Sequence, residues 1–173
     1  MEANELHAEG LRLYAEGRHD DAIAAFEQAR AEFLARGDAR KAAEIENDLG
    51  VAYVRAGRAA DAEKTLQAAI GHAQSAGNLL TEAKATGNLA QVLEQGGTRE
   101  DAAKNYRRAA DLFHRAGEKE FEADTLRALT QLYLARGRWL EALAAYDRAL
   151  AARGGAGVLR ALLQIPLKLL GVR

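Results

Sequence analysis

Residues 49–69 read LGVAYVRAGRAADAEKTLQAA, and this stretch predicts two helices joined by a turn. Its apolar residues recur at three- and four-residue spacings on both sides of Gly57, which is typical of helices that bury one face. Gly57 lies where the first helix should end, since glycine adopts the left-handed conformation of a helix C-cap at little cost. The stretch therefore predicts a helical hairpin.

The same pattern recurs every 40 residues along the chain. A glycine falls at each turn, two alanine positions mark the second helix, and a large residue lies between those alanines. These four series are Gly17, Gly57, Gly97 and Gly137; Ala22, Ala62, Ala102 and Ala142; Ala29, Ala69, Ala109 and Ala149; and Phe26, Leu66, Tyr106 and Tyr146. A fixed period of this length predicts a solenoid of stacked helix pairs, in which alanine allows close approach of the paired helices.

The composition also favours helices, with 40 Ala and 24 Leu against 15 β-branched residues and one Pro. The chain has 173 residues, no Cys and a net charge of −1. These values exclude a disulfide scaffold and a thiol nucleophile, and they give no general basic surface for nucleic acid. The acidic N-terminus and the lack of a long apolar run predict a cytoplasmic protein without a transmembrane segment.

The units resemble the tetratricopeptide repeat, whose pattern is L-G-x-x-Y, a loop glycine, and then A-x-x-x-F/Y-x-x-A. The second unit shows it in Leu49, Gly50, Tyr53, Gly57, Ala62, Leu66 and Ala69. The resemblance implies an all-α, right-handed solenoid of four helix pairs over residues 1–153, with units at about 1–37, 38–77, 78–117 and 118–153. The period exceeds the usual ~34 residues, so each helix should be about a turn longer. Longer units of this kind resemble those of cell-polarity adaptors and bacterial scaffold proteins.

We find no pattern typical of an active site. The four His residues fall at different positions of the repeat, so no single face gathers them. Carboxylate pairs, as at Asp20-Asp21 and Glu100-Asp101, open the second helix of a unit, where the helix dipole favours negative charge. We therefore expect no enzymatic activity, no cofactor and no metal.

The resemblance implies that the first helices line a concave groove for a peptide or a partner helix. The candidate groove residues are His7, Tyr14, Asn47, Val51, Arg55, Lys84, Asn88, Gln91, Gln95, Arg127 and Gln131. Asn and Gln side chains can donate to and accept from a peptide backbone, although each position could also be part of a solvated helix face. The expected function is a protein-interaction scaffold, and the alternative is a regulatory sensor resembling bacterial receptors of signalling peptides. A clamp for a C-terminal carboxylate is excluded, because only Lys84 fits it and Asp48 would repel the ligand.

The end of the chain departs from the pattern. Residues 154–173 contain a Gly-rich hinge and then VLRALLQIPLKLLGVR, which predicts an apolar terminal helix. Apolar side chains on this helix and on the last repeat should need a partner surface, and we expect a homodimer in preference to membrane-surface docking. The candidate self-association residues are Trp139, Leu140, Leu159, Leu162, Leu163, Leu167 and Leu170.

Overall fold

The computed structural model describes residues 2–155, which form eight α-helices joined by short turns. The helices are α1 (Ala3–Ala15), α2 (His19–Ala35), α3 (Ala39–Arg55), α4 (Ala59–Ser75), α5 (Leu79–Gln95), α6 (Arg99–Ala116), α7 (Lys119–Leu134) and α8 (Trp139–Ala152). Each helix packs against the next, and α3 also contacts α1 and α5. The predicted all-α solenoid of helix pairs is confirmed over this part of the chain. The predicted terminal helix, with Leu159, Leu162, Leu163, Leu167 and Leu170, lies outside the described residues.

The turn glycines are required by backbone geometry. Gly57 has a φ of 74°, in the left-handed region that residues with a Cβ rarely adopt. Its N–H donates to the carbonyl of Val54 at 3.1 Å, and the N–H of Arg58 donates to that of Tyr53 at 2.9 Å. These bonds satisfy the last carbonyls of α3. The corresponding glycines of the other pairs also have positive φ.

Small residues let the two helices of a pair approach closely. A Cβ added to Gly50 on α3 would lie 2.6 Å from the Leu66 side chain on α4, and one added to Gly10 would lie 2.5 Å from Phe26. The alanines at the recurrent positions of the second helices, such as Ala62 and Ala69, are buried. The large residues between these alanines, such as Leu66 and Phe26, therefore fill the space left by the missing side chains of Gly50 and Gly10.

The acidic residues in the first turn of the second helices form ion pairs. Asp21 pairs with Arg18 at 2.7 Å, and Asp61 pairs with Arg58 at 2.8 Å. Neither α2 nor α4 has a side-chain hydrogen bond from its N-cap residue. Asp21 and Asp61 thus lie where the helix dipole favours negative charge, as predicted, and each has an arginine as its ion-pair partner.

Two carboxylates are buried between pairs at equivalent positions. Glu82 accepts hydrogen bonds from Arg108 at 2.6 Å and Gln74 at 2.9 Å. Glu122, with 3% of its surface exposed, accepts one from Arg148 at 3.0 Å, and its other oxygen lies 2.9 Å from Nδ1 of His114. In both cases one partner precedes the glutamate by 8 residues and the other follows it by 26. These networks join the second helices of neighbouring pairs through one buried group.

Candidate binding groove

Three clefts follow one another along the face formed by the first helices of the pairs. The first, of about 90 Å³, lies where Tyr14 of α1 and Val51 of α3 meet. The second, of about 360 Å³, includes His7 and Asp48 and ends at Lys84 of α5. The third, of about 430 Å³, lies between α5 and α7. Adjacent clefts share Asp48, and then Asn47 and Lys84, so this face is one interrupted groove.

Seven of the eleven candidate groove residues line these clefts: His7, Tyr14, Asn47, Val51, Lys84, Asn88 and Gln91. The other four lie outside the cleft walls. Arg55 donates to the Tyr14 hydroxyl at 3.4 Å, and Arg127 pairs with Asp124 at 2.5 Å. Gln95 and Gln131 are exposed. The structure thus brings together the residues nearest the middle of α3 and α5.

Two of the junctions between first helices are closed by a side-chain bond. His7 of α1 contacts Asp48 of α3 through Nε2 and Oδ2 at 2.9 Å. Asn88 of α5 donates to Asn47 of α3 at 2.9 Å, and Asn47 is only 8% exposed. In both pairs the partners are 41 residues apart. Asn47 therefore holds neighbouring repeats together. The sequence led us to expect that its amide would be free for a ligand, but the amide is largely occupied.

At the third junction the corresponding residues are Gly87 and Ala128, which cannot make such a bond. Both line the cleft between α5 and α7. The rings of Phe113 and Phe121 stack beside them, with centroids 5.3 Å apart and an interplanar angle of 21°. Phe113 is 4% exposed, whereas Phe121 is 46% exposed. Two small residues therefore leave an opening with an aromatic wall.

Tyr106 completes the apolar wall of the third cleft. It is 6% exposed, and its hydroxyl donates to Glu94 at 2.8 Å. Burial, together with this hydrogen bond and the charge of Glu94, raises the pKa of Tyr106 well above its usual value. The phenol therefore keeps its proton above the pH at which an exposed tyrosine ionises.

The rim of the third cleft is polar and carries one uncompensated charge. Asp124 is neutralised by Arg127 at 2.5 Å and Arg153 at 2.8 Å. Lys84 has no ion-pair partner among residues 2–155, and its Nζ lies 5.6 Å from the centroid of the Phe121 ring. The amide of Gln91 is exposed at the same rim. An ammonium and a free amide therefore stand next to an aromatic surface.

The aromatic wall was not among the residues that the sequence predicted for the groove. Phe121 occupies the position of Lys41 and Thr81 in the two preceding units. An aromatic residue at a position that is polar in the two preceding units was the available signal. Its stacking on Phe113 depends on how α6 and α7 pack, which the repeat pattern does not specify.

The arrangement is suited to noncovalent binding. Most ligand clefts combine an apolar lining with a few polar groups that orient the ligand, and the third cleft has this composition. In the part of the chain that is described, no group of three or more His, Asp or Glu side chains is placed to hold a metal ion. Over the same residues, no helix is both long and apolar enough to cross a membrane.

Comparisons with known proteins agree with the helix-pair architecture. Two family models, both described as tetratricopeptide repeat, match residues 7–78 and 81–154. No curated protein sequence matches the chain. BtubC (BKLC) from P. vanneervenii superposes with a TM-score of 0.74 at 23% identity, covering 87% of this chain and 62% of that one.

Two other solved structures are similar. A Rap protein complexed with Competence and Sporulation Factor has a TM-score of 0.77 at 19% identity, covering 88% of this chain and 42% of that one. A kinesin-light-chain-type protein from Podospora anserina with nearly identical TPR-like repeats has a TM-score of 0.72 at 16% identity, covering 87% of this chain and 74% of that one.

The chain spans 62% and 42% of the lengths of BtubC and the Rap protein. At these sequence identities the likeness shows a shared fold. The two repeat models, in contrast, match consecutive segments of the sequence itself and together account for most of it. The chain belongs to the tetratricopeptide repeat family.

Proposed function

We propose that this protein is a non-catalytic scaffold that binds a peptide or a partner helix along the face formed by α1, α3, α5 and α7. The observation that carries the proposal is the succession of three clefts on that one face, which share Asn47, Asp48 and Lys84. A segment lying across them would contact several helix pairs at once. Binding energy in such interfaces comes from a few well-placed contacts within a larger complementary surface.

Selection of random dodecapeptides displayed on phage tests this proposal. We expect enrichment of peptides that bind the full chain with micromolar affinity. Hydrogen exchange of the complex should show protection in α3, α5 and α7. The double variant Lys84→Gln, Gln91→Ala should weaken binding about tenfold.

The matched control is Lys64→Gln, Gln67→Ala, which changes the same residue types on the exposed face of α4. This control should bind as the unmodified chain does. Protection confined to α2, α4, α6 and α8, or equal loss of binding in both double variants, would contradict the groove proposal.

A regulatory sensor of short signalling peptides would use the same groove. It differs in one respect, because peptide binding must change the affinity of the chain for a second protein. Measuring the affinity for a co-purified partner with and without a selected peptide separates the two functions. If the chain is a scaffold, the peptide either competes with the partner for the groove or leaves the affinity for the partner unchanged. If the chain is a sensor, the peptide changes the affinity for a partner that binds at a second surface.

We also propose that the last helix pair contributes to a homodimer. Trp139 and Leu140 are 68% and 81% exposed at the start of α8. Tyr146 is 43% exposed, whereas the residues at the same repeat position, Phe26 and Leu66, are 1% and 0% exposed. Helix α8 thus exposes two large apolar residues at its start, and it exposes Tyr146 where the equivalent residues of earlier pairs are buried.

Light scattering of the full chain tests the homodimer. We expect a dimer for the unmodified protein and a monomer for Leu140→Lys. Leu34→Lys is the control, because Leu34 on α2 is also exposed, at 42%, but lies at the other end of the array. A monomer at high micromolar concentration, or a dimer that Leu140→Lys leaves intact, would contradict this part of the proposal.

A further inference from the structure

The third cleft differs chemically from the rest of the groove. The first two junctions are bridged by His7 with Asp48 and by Asn47 with Asn88. At the third, Gly87 and Ala128 leave about 430 Å³ open in front of the stacked phenyl rings. The groove is therefore closed by polar bonds at one end and open to an apolar pocket at the other.

From this difference we infer that the cleft between α5 and α7 is a specificity pocket for one bulky apolar side chain of a bound peptide, with an acidic residue of the peptide next to it at Lys84. The inference rests on the proposed peptide-binding function and names the chemistry of the peptide.

The size and lining of the cleft support an apolar occupant. An enclosed apolar cavity of about 150 Å³ already accepts a benzene ring, so an open cleft of about 430 Å³ has room for an aromatic or leucine side chain and the adjoining backbone. Its walls are Phe121, Phe113 and Tyr106, with small residues at the sides. Phe121 is 46% exposed, and covering it would remove apolar surface from water.

The charges at the rim support a neighbouring carboxylate. Asp124 is held by Arg127 and Arg153, and Asp48 is held by His7. Lys84, which is half-buried, has no carboxylate partner in the described chain. An acidic group of the peptide would form an ion pair with Lys84 in a partly desolvated site, where ion pairs are stronger than in bulk water.

Gln91 supplies the remaining polar contact. Its amide is exposed at the cleft and makes no hydrogen bond within residues 2–155, unlike the amide of Asn88, which donates to Asn47. A side-chain amide can donate to a peptide carbonyl and accept from the next N–H. This pairing would fix the direction of the backbone beside the pocket.

The test uses the dodecapeptides selected on the full chain and measures their affinities by fluorescence anisotropy. Ala128→Leu fills the cleft from α7, and Gly87→Leu fills it from α5. A Cβ at Gly87 would meet only Ala109, at 3.7 Å, so at least the second variant should fold, which circular dichroism checks. Ala24→Leu, on the exposed side of α2, is the matched control.

We expect the selected peptides to share a large apolar residue with an acidic neighbour. Both cleft-filling variants should lose about tenfold or more in affinity, and Ala24→Leu should bind normally. Replacing the acidic residue of the peptide by its amide should weaken binding to the unmodified chain but not to Lys84→Gln.

Two results would overturn the inference in distinguishable ways. Peptides that bind normally to both folded cleft-filling variants would show that the pocket is not used, while the groove function stands. No enrichment of any peptide over a selection without protein would contradict the proposed function and the pocket together.

Discussion

Gly50 and Gly87 both lie in the first helix of a pair, but their surroundings are opposite. A Cβ at Gly50 would lie 2.6 Å from Leu66, whereas one at Gly87 would meet only the Cβ of Ala109, at 3.7 Å. At Gly50 the missing side chain lets α3 and α4 pack closely. At Gly87 it leaves a cleft between α5 and α7 open. The same residue type therefore serves packing inside one pair and opens a cleft beside another.

The comparison also separates two kinds of contact in the array. Contacts within a pair are closely packed and apolar, as at Gly50 with Leu66. Contacts between the first helices α3 and α5 combine buried apolar residues, such as Leu49 and Leu89, with a polar bridge between Asn47 and Asn88. The residues that bridge neighbouring first helices can therefore differ along the groove without disturbing the packing of the two helices within a pair.

The largest loss of stability is expected from adding a side chain at Gly50, where α3 and α4 pack closely. Gly50→Val should lower the free energy of unfolding by roughly 1–3 kcal/mol, since overpacking forces Leu66 and its neighbours to move. Urea unfolding followed by circular dichroism measures it. Gly71→Val is the control, because a Cβ at that position in α4 meets nothing within 4 Å. Equal stability of the two variants would contradict the packing assigned to Gly50.

A smaller loss is expected from removing the polar bridge. Asn88→Ala leaves the buried carbonyl of Asn47 without its donor, which should cost about 1–2 kcal/mol. Gln91→Ala, one helical turn away and exposed, should have a negligible effect on urea unfolding. If both variants were equally stable, Asn47 would not depend on this bond.

At Gly87, beside the cleft between α5 and α7, an added methyl group should stabilise the chain instead of destabilising it. Gly87→Ala should raise the free energy of unfolding by about 0.5–1 kcal/mol, because alanine restricts the unfolded chain and favours the helix interior. The measurement is the urea midpoint at an unchanged slope. A lower midpoint would show that α5 and α7 pack more closely at this point than the cleft implies.

The smallest expected effect concerns the ionisation of two buried tyrosines, which spectroscopy can follow. Tyr106 and Leu66 occupy the same repeat position, and only Tyr106 titrates. Burial and the bond to Glu94 raise the pKa of Tyr106, and burial with the bond to Glu27 raises that of Tyr53 to about 12. The folded chain thus holds these protons more tightly than the unfolded chain does. Their stabilising contribution is complete below the ordinary pKa of about 10 and is lost as the pH rises through the folded-state values.

Ultraviolet absorbance of phenolate across alkaline pH measures this effect. We expect Tyr53 and Tyr106 to ionise above the ordinary tyrosine pKa of about 10. Tyr106→Phe should remove a late transition, and Tyr53→Phe should remove the other. Loss of an early transition in either variant would contradict the buried, hydrogen-bonded geometry.

The 40-residue pattern was sufficient to predict the helices, the glycine turns and the stacking of pairs. Each of these depends on local rules, namely the spacing of apolar residues and the positive φ that Gly57 and its counterparts adopt. The resemblance to the tetratricopeptide repeat also implied that His7, Lys84 and Gln91 share one face, and clefts lie at these residues. Positions on the first helices are determined by the helical period, so residues with shared register face the same way.

Only the tertiary structure decided how that face is divided. Asn47 is a candidate ligand contact by register, but packing of α5 against α3 buries it and pairs it with Asn88. Gly87 and Ala128 are ordinary small residues in the sequence, and they open a cleft only because their helices meet at that point. Helix formation follows from neighbours a few residues away, whereas the size of a gap depends on side chains 41 residues apart. Such distant pairings carry no signal in the local periodicity, and packing in three dimensions determines them.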